Sequence, residues 1–167
     1  MINQIYQLVQ PKVISVEYTD LSFENKVIVK PEYMAICHAD QRYYFGQRDI
    51  GALKEKLPMA LIHECCGRIL YDPTNTFSAG QRVVMIPNVS PREDAVIYEN
   101  YRKESYFLSS GHDGFMRELV DLDVSRMIPC DEIPATVAAI TEFVSVGEHA
   151  VTRFQKAAHS RRNRIGI

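Results

Sequence analysis

Short apolar runs separated by turn residues fill the first 130 positions of the chain. Ile5 to Val9, Val13 to Tyr18 and Val27 to Pro31 are rich in β-branched and aromatic side chains, a composition that suits a pleated, half-buried surface. Leu61 to Tyr71 is apolar and ends at Asp72-Pro73-Thr74-Asn75, a turn composition. Arg82 to Ile86 follows Ala79-Gly80 and stops at Pro87-Asn88, so it predicts a buried strand between two turns. Gly114 to Leu119 is a further strand candidate. Strands this short, at this spacing, predict a mainly β, barrel-like body.

The period changes after Pro134. Ala135 to Phe154 holds Val137, Ile140, Val144 and Val151 with no proline, which predicts flanking helices, two of them, broken near Gly147. The chain then turns polar, and Arg164-Ile165-Gly166-Ile167 reads as the opening of a strand. The expected organisation is one domain over 1–155, then a linker and the start of a nucleotide-binding α/β unit over 156–167. That favours a fragment over a short natural C-terminus.

Composition narrows the partners. Nineteen basic and 21 acidic residues give a formal net charge of -2, which offers nucleic acid or an anionic membrane no electrostatic reason to bind. Arg153, Lys156, Arg161, Arg162 and Arg164 gather near the end and read as a solvated linker face. No apolar run approaches the roughly 20 residues of a membrane span. The first residues lack a signal-peptide pattern, so a cytoplasmic location is expected. In that setting Cys37, Cys65, Cys66 and Cys130 read as core residues or metal ligands and not as a disulfide frame.

Metal-ligating types occur at separated positions: Cys37, the pair His63-Glu64, and Glu142. Thiolate, imidazole and carboxylate are all competent zinc ligands, and ligands drawn from distant segments with one position open make the catalytic pattern. Each also has a plainer reading. Cys37 can be a buried structural thiol, His63-Glu64 a surface or cap pair, and Asp40 a helix cap.

Several stretches, in order, resemble the zinc-dependent medium-chain dehydrogenase/reductase family. Ile36-Cys37-His38-Ala39-Asp40 is similar to its Cys-Gly-Thr/Ser-Asp segment, and His63-Glu64-Cys65-Cys66-Gly67 to its Gly-His-Glu-x-x-Gly motif. Phe77-Ser78-Ala79-Gly80-Gln81-Arg82-Val83 resembles its Phe-x-x-Gly-Asp-Arg-Val turn and strand. Gly114-Phe115-Met116 resembles its Gly-Gly-Phe-Ala segment, and Glu142 to Gly147 the Glu-Pro-Leu-Ser-Val-Gly segment of the polyol branch. The resemblance implies a GroES-like β-barrel catalytic domain, whose Rossmann partner is missing beyond its first strand. It implies one catalytic zinc held by Cys37, His63, Glu64 and Glu142, with the two glutamates binding directly or from just behind. Asp40 would accept the second ring N–H of His63 and orient it. His38 would lie near the pyrophosphate of NADP or NAD.

Two departures matter. The Ser or Thr that starts the family's proton relay is Ala39 here, leaving His38, Tyr43 or water to carry protons. The four close cysteines of a structural zinc are absent between Asn88 and Ser110, so no structural zinc is expected; Cys65 and Cys66 read as packing residues. Cys37 to Tyr44, Leu57 to Glu64 and Ser109 to Met116 are similar to the branch that reduces ribulose 5-phosphate to ribitol 5-phosphate. Arg42 and Arg48 would meet the phosphate of such a sugar or polyol phosphate, and Tyr43 and Tyr44 its hydroxyls; surface arginines are the plain alternative. The expectation is an oxidoreductase, homo-oligomeric when full length, with these 167 residues inactive alone. Another polyol or alcohol dehydrogenase, or a non-catalytic GroES-like binding module, stays open.

Overall fold

The computed structural model describes residues 1–90 and 98–156. Arg161, Arg162, Arg164 and the strand expected at 164–167 lie outside the described residues. Ten strands and four α-helices are found among the described residues: β1 (Ile2–Gln10), β2 (Val13–Asp20), β3 (Val27–Ala35), α1 (His38–Tyr44), α2 (Ile50–Lys56), β4 (Met59–Ala60), β5 (Glu64–Tyr71), β6 (Arg82–Met85), β7 (Asn88–Val89), β8 (Tyr106–Phe107), β9 (Val120–Leu122), β10 (Met127–Pro129), α3 (Ala135–Ala139) and α4 (Thr141–Lys156). They form a three-stranded sheet in the order β2-β1-β4, a five-stranded sheet in the order β10-β6-β5-β3-β9, and the pair β7-β8. The fold is mainly β with flanking helices, as the hydrophobic pattern predicts.

The two larger sheets share one core. Leu8 and Met59 of the first pack with Val29, Ile69, Val83 and Val120 of the second. Val27, Ile28 and Val29 are buried in succession where β3 lies between β5 and β9, so both of its faces are covered. Pro31 then falls beside a register shift, where its missing N–H is tolerated. Gly67 faces it, and a Cβ there would stand 2.3 Å from the Lys30 carbonyl oxygen. The period of two along β5 sends Cys65 into the main core and Cys66 into a smaller cluster with Val84, Cys130 and Ala138 beneath α3. All four cysteines are free thiols.

Three expectations are corrected. Gly114 to Leu119 forms no regular strand. The N–H groups of Gly114, Phe115 and Met116 reach the carbonyls of Ala60, Ile62 and Leu61, and regular pairing starts only at Val120. Leu61 to His63 likewise leaves the apolar run as a loop, because Ile62 has φ +70°. The helical region breaks at Ile140, the C-cap of α3, and α4 continues through Gly147. No helix among the described residues is long and apolar enough to cross a membrane.

Candidate metal centre

Cys37 is the N-cap of α1 and takes an extended backbone, with φ -87° and ψ 175°. Asp40 reaches back from the first turn. Its Oδ2 accepts from the Cys37 N–H at 3.1 Å and lies 3.2 Å from the Cys37 thiol. Its Oδ1 accepts from the Ile62 N–H at 2.9 Å and from the Ser109 hydroxyl at 3.1 Å. One buried carboxylate therefore ties α1 to the loop before β5 and to the turn after β8. The left-handed conformation of Ile62 is unfavourable for a β-branched residue. It is held from both sides, by Asp40 on its N–H and by the Phe115 N–H on its carbonyl at 2.7 Å.

That loop delivers His63. Its Nε2 lies 3.4 Å from Cys37 Sγ, and the Phe107 ring packs edge-on at 5.2 Å. Glu64 follows as the first residue of β5 and is buried, and Glu142 comes from the first turn of α4. The ligand-capable atoms of Cys37, Asp40 and His63 all lie within 4.8 Å of one another, as do those of His63, Glu64 and Glu142. His63 belongs to both groups, with Cys37 and Asp40 in one and Glu64 and Glu142 in the other.

The cluster is electrostatically uncompensated. Burial and the neighbouring Asp40 push the Cys37 thiol up to about 11. Burial, then Glu64, pushes the Glu142 carboxyl up to about 7. Burial lowers the His63 imidazole, with Asp40 partly opposing, and burial together with Asp40 raises Glu64. Each shift favours the neutral form, which is what a pocket of thiol, imidazole and carboxyls does without a cation; a dication reverses that preference. The His63 Nδ1 is buried with no hydrogen-bond partner among the described residues. Donor types, spacing and charge all fit zinc.

Asp40 does not accept from the His63 ring here, contrary to expectation, because its two oxygens serve Cys37, Ile62 and Ser109. Tyr43 is also reassigned. It is 3% exposed and forms the floor under the Arg48 guanidinium, 4.6 Å above its ring, so it does not face an open cleft. Arg42 donates to the Gln47 carbonyl at the end of α1. His38 is exposed at the first residue of α1. Tyr44 packs against Phe45 and lines an apolar cavity of about 450 Å³ whose walls include none of the four ligand candidates. Two participants escaped sequence reasoning, Phe107 and Ser109. Ser109 lies 69 residues from Asp40, a pairing that no local pattern announces.

The sequence model of the alcohol dehydrogenase GroES-like domain matches residues 23–135. The chain belongs to that family. This GroES-like domain is 57% identical over its full length to a ribulose-5-phosphate reductase of Streptococcus pneumoniae, covering 49% of that protein. It is 49% identical to ribulose-5-phosphate reductase 1 of Staphylococcus aureus, covering half of it. A crystal structure of S. aureus TarJ in complex with NADPH superposes with a TM-score of 0.73 at 39% identity, over 96% of this chain and 44% of that one. The chain spans about half the length of the curated relatives it matches.

Proposed function

We propose that this GroES-like domain is the zinc-holding half of a nicotinamide-dependent reductase that acts on ribulose 5-phosphate. The observation that carries the reading is that three distant segments bring Cys37 to one side of His63 and Glu64 with Glu142 to the other, in two overlapping, part-buried groups of ligand-capable atoms. The named relatives supply the substrate class, and the NADPH complex of TarJ supplies the cofactor class. Zinc at such a site offers Lewis-acid polarisation of a carbonyl oxygen, and a nicotinamide offers the hydride.

The chain's own residues give orientation and charge. Cys37 and His63 are fixed by the Asp40 bridge, so the ligand set is ordered before any ion arrives. Ala39 has no hydroxyl to offer, and the hydroxyl tied to the cluster is that of Ser109, which donates to Asp40. We assign the substrate phosphate to Arg48. Its Nε is buried with no hydrogen-bond partner among the described residues, and the Tyr43 ring holds it from below. Tyr43 lies one helical turn beyond Asp40 on the same buried face of α1. His38, on the exposed start of α1, is assigned to the cofactor pyrophosphate.

A chimera tests the reading, with this chain replacing the matching half of the S. pneumoniae reductase. It should oxidise NADPH with ribulose 5-phosphate and not with ribulose. Arg48→Ala should raise KM for the phosphorylated sugar about 10- to 100-fold, the value of one charge-assisted contact, at unchanged zinc content. Equal activity on both sugars, or an unchanged KM in Arg48→Ala, contradicts it.

A further inference from the structure

Glu142 reaches the cluster from a helix whose outer side is bare. Phe143 and Val144 of α4 are 68% and 59% exposed, and Val146, on the same side as Glu142, is 58% exposed. The helix rests on α3 and β5. Further along, its hold on the body is made of rings. His149 lies 6.4 Å from Tyr98, edge-on at 86°, and 6.5 Å from Tyr101. Arg153 Cζ stands 4.7 Å over the Tyr101 ring. These separations fall in the range where ring pairs and cation–ring pairs attract.

Glu142, His149 and Arg153 are spaced by seven and four residues, so at 3.6 residues per turn they share one stripe of α4. Val144 and Val151 lie on the opposite side. The 3-10 turn Glu99–Tyr101 that receives this stripe is itself fixed to the barrel. Arg126 donates to the Glu99 carboxylate at 2.8 Å and to the Asn88 carbonyl at 3.0 Å. Arg102 donates to the Ser90 hydroxyl at 3.2 Å, and the Ser105 hydroxyl to the Glu99 carbonyl. A continuous path runs from barrel to turn to ring contacts to α4, and so to the Glu142 carboxylate.

We propose that Tyr101, His149 and Arg153 are positioning residues that latch α4 so that Glu142 is held at His63 and Glu64. The inference rests on the reading of Glu142 as a zinc ligand. The lever is long: seven to eleven residues of helix span about 10–16 Å, so a tilt of about 10° carries one end through about 2–3 Å. Metal–ligand distances tolerate about 0.2 Å. A helix free to tilt would offer its carboxylate only part of the time, and zinc affinity would fall without any ligand being changed.

The test is zinc affinity of the 167-residue chain, by competition with a chromophoric chelator, with a thermal melt of each variant to confirm folding. Tyr101→Ala and His149→Ala, which remove opposite halves of the contact, should each weaken zinc about tenfold, the usual cost of losing a supporting partner. Tyr101→Phe keeps the ring and should bind as the parent does. In the Glu142→Gln background, adding Tyr101→Ala or His149→Ala should cost nothing more. A full loss persisting in that background, or no loss in the parent background, overturns the latch alone. A parent chain that takes up no zinc, or a Glu142→Gln chain that binds like the parent, overturns the ligand reading beneath it.

Discussion

Gly114 decides how closely the chain can pass behind the loop that carries His63. A Cβ at that position would stand 2.4 Å from the carbonyl oxygens of both Leu61 and Ile62, and both belong to backbone. Neither can swing aside as a side chain would, so Gly114→Ala must move the loop that carries His63. The expected cost is about 1–3 kcal/mol of stability, as for other overpacked positions, together with weaker zinc binding. A urea melt measures the first, and an unchanged midpoint would show that the loop yields more easily than this contact implies. At this scale the family resemblance picked out residues that the structure brings near one another, Cys37 beside His63 and His63 beside Glu64 and Glu142. The sequence was illegible where a role depends on a distant neighbour. Asp40 was expected to serve His63 and instead gathers Cys37, Ile62 and Ser109. Tyr43, for all its polar tip, sits beneath Arg48 in the core.

Among the elements, α4 shows how local propensity yields to context. Glycine inside a helix costs about 1 kcal/mol relative to alanine, which is why a break near Gly147 was expected. The helix passes through Gly147, and beyond it His149 and Arg153 meet the Tyr101 ring. A Cβ at Gly147 would meet nothing within 4 Å. Gly147→Ala should therefore stabilise the chain by about 0.5–1 kcal/mol, raising its melting midpoint by a few degrees at unchanged zinc content. A lowered midpoint would mean that this position is covered by something outside the described residues. The strands were readable for the opposite reason. Val27 to Val29 and Val83 to Met85 are buried on the pattern that their turns and β-branched residues predict. Gly114 to Leu119 looked the same in sequence, but its first half bonds to the loop at 60–62 and its second half meets β1 only through an isolated bridge at Ile5 and Arg117, which a hydrophobic period cannot reveal.

Over the whole molecule, the candidate metal centre and the fold depend on each other through charge. The folded, metal-free chain raises the Glu142 carboxyl from its ordinary 4.5 to about 7. A carboxyl whose folded pKa lies above its unfolded value favours the folded state at low pH, and that contribution is lost as pH rises from about 4.5 through about 7. His63, whose folded pKa is lowered, contributes in the opposite sense, so the metal-free parent should lose stability across that interval relative to Glu142→Gln. Zinc should remove the trend, because an ionised Glu142 then faces a cation. Thermal midpoints at pH 5 and pH 8, with and without zinc, measure both. A metal-free parent whose midpoint follows pH just as Glu142→Gln does would separate Glu142 from the cluster's charge balance. The central claim is more direct still, that four side chains from distant segments make one zinc site in this domain. Elemental analysis of the purified chain, of Cys37→Ala and of His63→Ala tests it most simply. The account predicts about one zinc per parent chain and loss in both variants, as expected for a catalytic-type site; a folded parent that stays metal-free in excess zinc would contradict it.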